Sequence, residues 1–406
     1  MIRKIGSAVF SGLLASTFAL SAQAAEIRFT LGEYSAETRK SFEQVAAAFE
    51  AENPDIDVII EVIPWSNYLQ TLTTDISGNN APDMSVLASI WLKEFATQGL
   101  IEPMDDLITP ELKDKFIPAL LGPSVIDGEL MGLPIAASAR AMMVNNDLYE
   151  AAGMTPPATW EELRDTSAKI SEQSDIFGFG LPGKEDEVDV YFYYALWSFG
   201  GEIFDEEGRS AIASPQGVAA AQVYADLVAA GHTQPAPTAN SREDVFNLFK
   251  NGKIGTIFTF PMLVPQIKAE APDLNYSVLP FPVEAQKVTM GITDSVAVFR
   301  TSDAKPEVQK FLDFIYQHDF RLAFNLADGL LPVMTSVVND PVYQEDLDIK
   351  AFADGLAYAK FQPTVERWDE IIDITRSALQ TIYLGDATPE DALTDAAAKI
   401  DQLRGF

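Results

Sequence analysis

Between residues 26 and 87 the spacing of apolar residues switches repeatedly between two and three-to-four, and this alternation limits the possible folds more than any other feature. In residues 26–31, Ile27, Phe29 and Leu31 alternate with polar residues, the period of a strand. Phe42, Val45, Ala46 and Phe49 then recur at helical spacing, with Ser35 placed to cap the helix and Asn53-Pro54 to stop it. Residues 57–63 read as a buried strand, 66–76 as a helix and 84–87 as a short third strand. Strand and helix in alternation predict an α/β lobe with a largely parallel sheet.

The same grammar resumes further on. Gly132-Leu133-Pro134 and the small residues 136–139 lead into an apolar strand at 141–144, where a lobe boundary is expected. Thr159 and Glu162 form a capping box, and Ser214-Pro215 opens a helix with Val218, Ala221, Ala225 and Val228 on one face. A helical region at 364–383 carries Val365, Trp368, Ile372, Leu379 and Ile382. Gly385 ends it, and Thr388-Pro389 starts a last helix lined by Leu393, Ala397 and Ile400. Phe281-Pro282 and Gly329 to Pro332 are two further changes of character. A chain of 406 residues exceeds one core. Three crossings therefore predict two interleaved α/β lobes, 25–135 with 284–330 and 136–283 with 331–406.

Residues 1–24 have the pattern of a cleavable secretory leader: Arg3 and Lys4, an apolar stretch from Ile5 to Leu20, then Ala22-Gln23-Ala24. The stretch is interrupted by small polar residues and is too short to span a bilayer. Removing it leaves 382 residues with 26 basic and 60 acidic side chains, a net charge of −34. That charge repels nucleic acid and anionic lipid, so neither is an expected partner. The chain has no cysteine, which excludes disulfides, thiolate metal sites and a Cys-linked lipid anchor. The expected location is a periplasm, in free solution.

Catalytic chemistry is poorly provided for. The two histidines, His232 and His318, are far apart and lie in no motif, and no Gly-x-Ser-x-Gly, His-Glu-x-x-His or Ca²⁺ loop occurs. No cofactor or metal is expected. Gly178-Phe179-Gly180-Leu181-Pro182-Gly183 matches a dinucleotide fingerprint, but Lys184-Glu185-Asp186-Glu187 follows, where acids would repel pyrophosphate. The reading is a strand and turn, then a solvated acidic loop. A glycosidase stays open, because it needs only two carboxylates. Tyr34, Trp65 and Trp91 follow strands, and Trp197 precedes Gly200-Gly201. Ligands of open α/β sheets bind beyond the carboxyl ends of strands, where such rings stack on sugars or else fill the core.

A series of short segments resembles the carbohydrate class of bacterial ABC-importer solute-binding proteins, the maltose-binding-like family. They run in order: Phe42 to Phe49 with Asn53-Pro54, Ala81-Pro82-Asp83, Glu94-Phe95-Ala96 to Pro103, Val144 to Tyr149, Pro157 to Leu163, Gly200-Gly201, Phe249 to Lys253, and Gly385 to Leu393. Each is weak alone, whereas their shared order over the mature chain is specific. The resemblance implies two lobes hinged around a solute, no catalysis, a monomer, and docking on the transmembrane subunits of a permease.

Carried over by position, the resemblance implies a ligand site of Glu33, Tyr34, Trp65, Ser89 and Trp91 from one lobe. Tyr191, Trp197 and Phe260 face them from the other, with Arg140 beside a hinge. Thr293, Asp294 and Trp368 complete the set. Phe260-Pro261-Met262 stands where the family often has Gly-Pro-Trp, Ile292 departs from a paired glycine, and Gln362 replaces a frequent Arg. The implied solute is a mono- or oligosaccharide or a polyol glycoside. Besides the exported glycosidase, a binding protein for a non-sugar such as a polyamine is an open alternative.

Overall fold

The computed structural model describes residues 24–185 and 187–406. Of the expected leader, all but Ala24 lies outside the described residues. Six strands make the first sheet: β1 (Ala25–Glu33), β2 (Ile56–Pro64), β3 (Met84–Ala88), β6 (Leu133–Ala139), β11 (Thr289–Val298) and β12 (Ala359–Phe361). A small hairpin, β4 (Val125–Ile126) and β5 (Glu129–Leu130), lies apart. The second sheet has the order β10 (Tyr276–Leu279), β7 (Ala141–Asn145), β9 (Ile254–Thr259), β8 (Phe177–Phe179).

Helices α1 (Thr38–Glu52), α2 (Trp65–Ser77) and α3 (Ser89–Thr97) follow β1, β2 and β3. β1 runs parallel to β2 and β3, so α2 and α3 begin at the same, carboxyl, edge of the sheet. Ile27, Phe29 and Leu31 are fully buried against Phe42, Val45, Ala46 and Phe49 of α1. Each such side chain stabilises the fold by about 1.5–3 kcal/mol. Two local expectations differ from what is observed. β2 is an edge strand with Asp57 and Ile59 exposed, since it has one neighbour instead of two. Ser35 is not the N-cap of α1, a place taken by Glu37, but its hydroxyl accepts from the Glu37 N–H at 3.0 Å and donates to Asp328 at 2.8 Å, and Thr38 ties the same loop. The Thr38 hydroxyl accepts from the N–H groups of Tyr34 and Ser35 at 3.0 and 2.9 Å and donates to buried Asp328 at 2.5 Å.

The second lobe is built around the Val188–Ser198 helix, every residue of which is buried. It packs between the second sheet and the Pro215–Ala229 and Trp368–Leu384 helices. Ser214 caps the first of these through the N–H of Gly217. Thr159 accepts from the N–H of Glu162, but Glu162 reaches back to Ala158, so the box closes one residue early. The helix expected from residue 364 starts at Trp368, because Arg367 adopts a left-handed conformation with φ 59°.

The strands also place the crossings. β6 continues in the first sheet to Ala139 and β7 starts in the second at Ala141, so Arg140 is the junction, four residues beyond the expected one. β12 still belongs to the first sheet, so the last crossing follows Phe361 and not Leu330. These passages lie side by side. The N–H of Arg140 donates to the Met290 carbonyl at 3.1 Å, the Thr289 hydroxyl donates to the Arg140 carbonyl at 2.5 Å, and Gly291 pairs with Phe361 in the parallel β11–β12 ladder.

Candidate functional site

The carboxyl edge of the first sheet presents a row of rings. Tyr34, just past β1, stands edge-on to Trp65 with ring centres 5.5 Å apart, and Trp65 lies 6.0 Å from Trp91. The row is fixed from below. Tyr68 stacks on Trp91 at 6.2 Å, and its hydroxyl is within bonding distance of the Thr30 and Val86 carbonyls. Trp65 lies directly on Gly32, where a Cβ would come within 2.2 Å of its ring. Only glycine permits that approach.

Polar groups from β11 stand beside the rings. The Tyr34 hydroxyl donates to Asp294 at 2.9 Å, while Ser89 bonds the Thr293 carbonyl and hydroxyl at 2.6 and 2.8 Å. Burial pushes the Asp294 carboxyl up to about 7, against the pull of the Tyr34 hydroxyl and Arg140. Glu33 is exposed at the strand end. Ser89, Thr293, Phe361 and Gln362 line a cavity of about 140 Å³. Through Ile292 and Gln362 it adjoins a larger one of about 420 Å³. The larger volume lies within the range of small-ligand sites.

The larger cavity is lined mainly by charged residues, Arg140 at the junction of the sheets and Glu187, Asp189, Arg242, Asp369, Asp373 and Arg376 from the second lobe. Arg140 is buried and donates to Glu187 at 2.9 Å and to Ser138 at 2.8 Å. Burial alone would lower its affinity for a proton, but Glu187 outweighs that and holds the guanidinium firmly charged. Phe260 lies between Arg140 and Arg242, at 4.6 and 5.0 Å. It is thus a platform for guanidinium groups, with 7 % of its surface exposed. Asp369 sits at the cavity mouth close enough to Trp91 for the indole to pull its carboxyl down, although burial pushes it up overall.

Other expected site residues are elsewhere. Tyr191 is in the core, its hydroxyl donating to the Phe258 carbonyl at 2.6 Å. Trp197 stacks on Tyr193 at 6.0 Å, and Trp368 packs 6.1 Å from the same ring. Both tryptophans are 2 % exposed, which leaves no ring face for a ligand. Glu187, Asp189, Arg242, Asp369 and Arg376 were not expected. The acidic loop is not fully solvated: Glu187 is buried, in a left-handed conformation with φ 72° that aims it at Arg140. The only sequence signal for this is an acid directly before an apolar aromatic run.

A two-lobed chain with a row of rings at one sheet edge and a charged cavity nearby fits solute capture, and comparison with known proteins identifies the group. The model of the bacterial extracellular solute-binding proteins matches residues 33–320. This chain belongs to that family. A protein of Brucella abortus (strain 2308), named only as a binding protein, is 47 % identical over 407 residues, with 99 % of both chains covered. The maltotriose-binding protein of Pyrococcus abyssi is 25 % identical over 79 % of this chain and 70 % of its own. Among solved structures, the maltose-bound MalE3 of T. maritima superposes with a TM-score of 0.83 and 25 % identity, covering 94 % of this chain and 100 % of that one. Among the described residues of this family member, no helix is long and apolar enough to cross a membrane. No cluster of three or more metal-ligating side chains occurs among them.

Proposed function

We propose that this protein is the carbohydrate-capturing component of an ABC importer. It closes two lobes over a mono- or oligosaccharide and delivers it to the permease without catalysing a reaction. The observation that carries this reading is the row Tyr34, Trp65 and Trp91 at the carboxyl edge of the first sheet, with Trp91 next to Asp369 of a cavity lined by carboxylates and guanidinium groups. Ring faces suit the C–H faces of a sugar, and fixed charges suit its hydroxyls. The relatives whose names specify maltotriose or maltose support the same class.

In this reading the lobes are residues 25–139 with 289–361 and 141–279 with 368–406, and Arg140 and Thr289 lie in the hinge. Tyr34, Trp65, Trp91, Ser89, Thr293, Asp294 and Arg140 contact the solute or hold those that do. Residues 1–24 export the chain to a periplasm, where with no cysteine to anchor it the monomer diffuses to the permease. Thermal unfolding against a panel of sugars and polyols tests the proposal. A sugar at a hundredfold excess over its Kd stabilises by about 2.7 kcal/mol. Stabilisation by no sugar, or turnover of a chromogenic glycoside, would overturn it.

A further inference from the structure

The charges of the larger cavity do not cancel, and one of them is buried without a partner. Three arginines face four acids there. Glu187 takes Arg140 at 2.9 Å and lies 3.7 Å from Arg242, which also holds Glu243 at 2.7 Å. Asp373 takes Arg376 at 3.0 Å. Asp189 is left over. Its side chain forms no ion pair among the described residues, and Oδ2 has no hydrogen-bond partner. The residue is 4 % exposed yet lines the cavity.

A buried carboxylate oxygen without a donor costs free energy that a ligand can return. The first turn of the Val188–Ser198 helix fixes its direction. A neutral hydroxyl would satisfy the oxygen but would add no opposite charge to favour the ionised form of a carboxyl that burial holds back from ionising. A ligand carboxylate would oppose that form. A protonated amine does both, and a charge-assisted bond is about twice as strong as a neutral one.

We infer that the cleft selects a sugar carrying a free, protonated amine, read by the unpartnered carboxylate of Asp189 on the second-lobe wall. This rests on the proposed carbohydrate function and narrows it to amino sugars. Asp369, at the mouth of the same cavity, is a second acid without an ion-pair partner among the described residues and adds to the attraction. Trp91, next to Asp369 of the same cavity lining, would offer its ring to the apolar face of the sugar while Asp189 takes the ammonium.

Calorimetric titration of the full mature chain with matched sugars tests this. The probes are cellobiose, N,N′-diacetylchitobiose and the free-amine chitobiose, together with glucose against glucosamine and galactose against galactosamine. At least one amine should bind about tenfold or more tighter than its neutral counterpart, with the advantage shrinking as salt is raised. In Asp189→Asn the advantage should fall to within about threefold, while binding of the neutral sugar persists as proof of folding. Should that variant fail to fold, Asp369→Asn should reduce the amine preference and its salt dependence. Neutral sugars binding as well as amines, or a preference unchanged in the folded Asp189 variant, would overturn the inference and leave the carbohydrate function standing. Binding of none of these sugars would overturn the inference. Failure of the wider sugar panel as well would remove the function beneath it.

Discussion

Rings of one chemical type serve two purposes here, and only their surroundings separate them. Trp91 is half-buried in the ring row at the sheet edge, whereas Trp197 is sealed in the second-lobe core. Trp91→Ala should therefore weaken sugar binding about tenfold with a modest fall in the thermal midpoint. Trp197→Ala should cost about 3–5 kcal/mol in urea unfolding. Measuring both quantities on both variants checks the assignment, and interchanged outcomes would reverse it. In the sequence the two are alike, since an aromatic after a strand and one within an aromatic helix carry the same letter. The buried acids make a second contrast. Asp189 and Asp294 are both pushed up to about 7 from an ordinary 3.8, chiefly by burial. Asp189 is opposed by Arg376 and reinforced by Glu187, with the Tyr193 and Tyr383 hydroxyls nearby. Between about pH 4 and 7 the folded form binds more protons than the unfolded one. The contribution of these groups to stability therefore falls as pH rises through that window. In the ligand-free protein, Asp189→Asn should flatten this fall, as read by urea midpoints at pH 4.5 and 7.5.

Elements were readable where one face is buried and the other wet. The apolar stripe of α1 and the Ser214 and Thr388 caps follow from spacing and hydroxyl chemistry alone. Less was readable where tertiary contacts decide. Whether 57–63 is a central or an edge strand depends on a pairing the segment does not encode, and the start of α1 depends on Asp328, 290 residues from Thr38. The wholly buried Val188–Ser198 helix has no polar face to set its orientation, so its aromatics could not be divided between core and cleft. A tighter coupling joins β1 to α2, because Trp65 rests on Gly32. Gly32→Ala would place a methyl 2.2 Å from the indole, which must rotate away and disturb its contacts with Tyr34 and Trp91. This variant should alter tryptophan fluorescence and reduce sugar affinity, with a stability loss of about 1–3 kcal/mol. Unchanged fluorescence with normal affinity would mean that the ring row does not depend on that contact.

On the scale of the molecule, two sheets meet along a seam where adjacent passages are bonded to one another, so movement of one carries the others. Two-lobe organisation was foreseeable from changes of residue character. The crossing at Arg140 was not, because small apolar residues on both sides look alike in sequence. Arg140 belongs to this seam through its backbone, while its guanidinium is tied to Glu187 in the second lobe. The pair thus anchors the hinge to one wall of the cleft. A buried pair contributes little net stability over an apolar replacement, but removing one partner strands the other charge. Glu187→Gln should therefore destabilise by about 3–5 kcal/mol, leaving Arg140 charged and poorly compensated. Adding Arg140→Met should recover most of that loss, since the stranded charge is gone. Recovered stability without recovered ligand-induced compaction, read as the change in radius of gyration on adding sugar, would show that the pair sets the lobes' closure more than their folding. Should the double variant be less stable than Glu187→Gln alone, Arg140 would be held mainly by Ser138 and Phe260, and the hinge would not depend on Glu187.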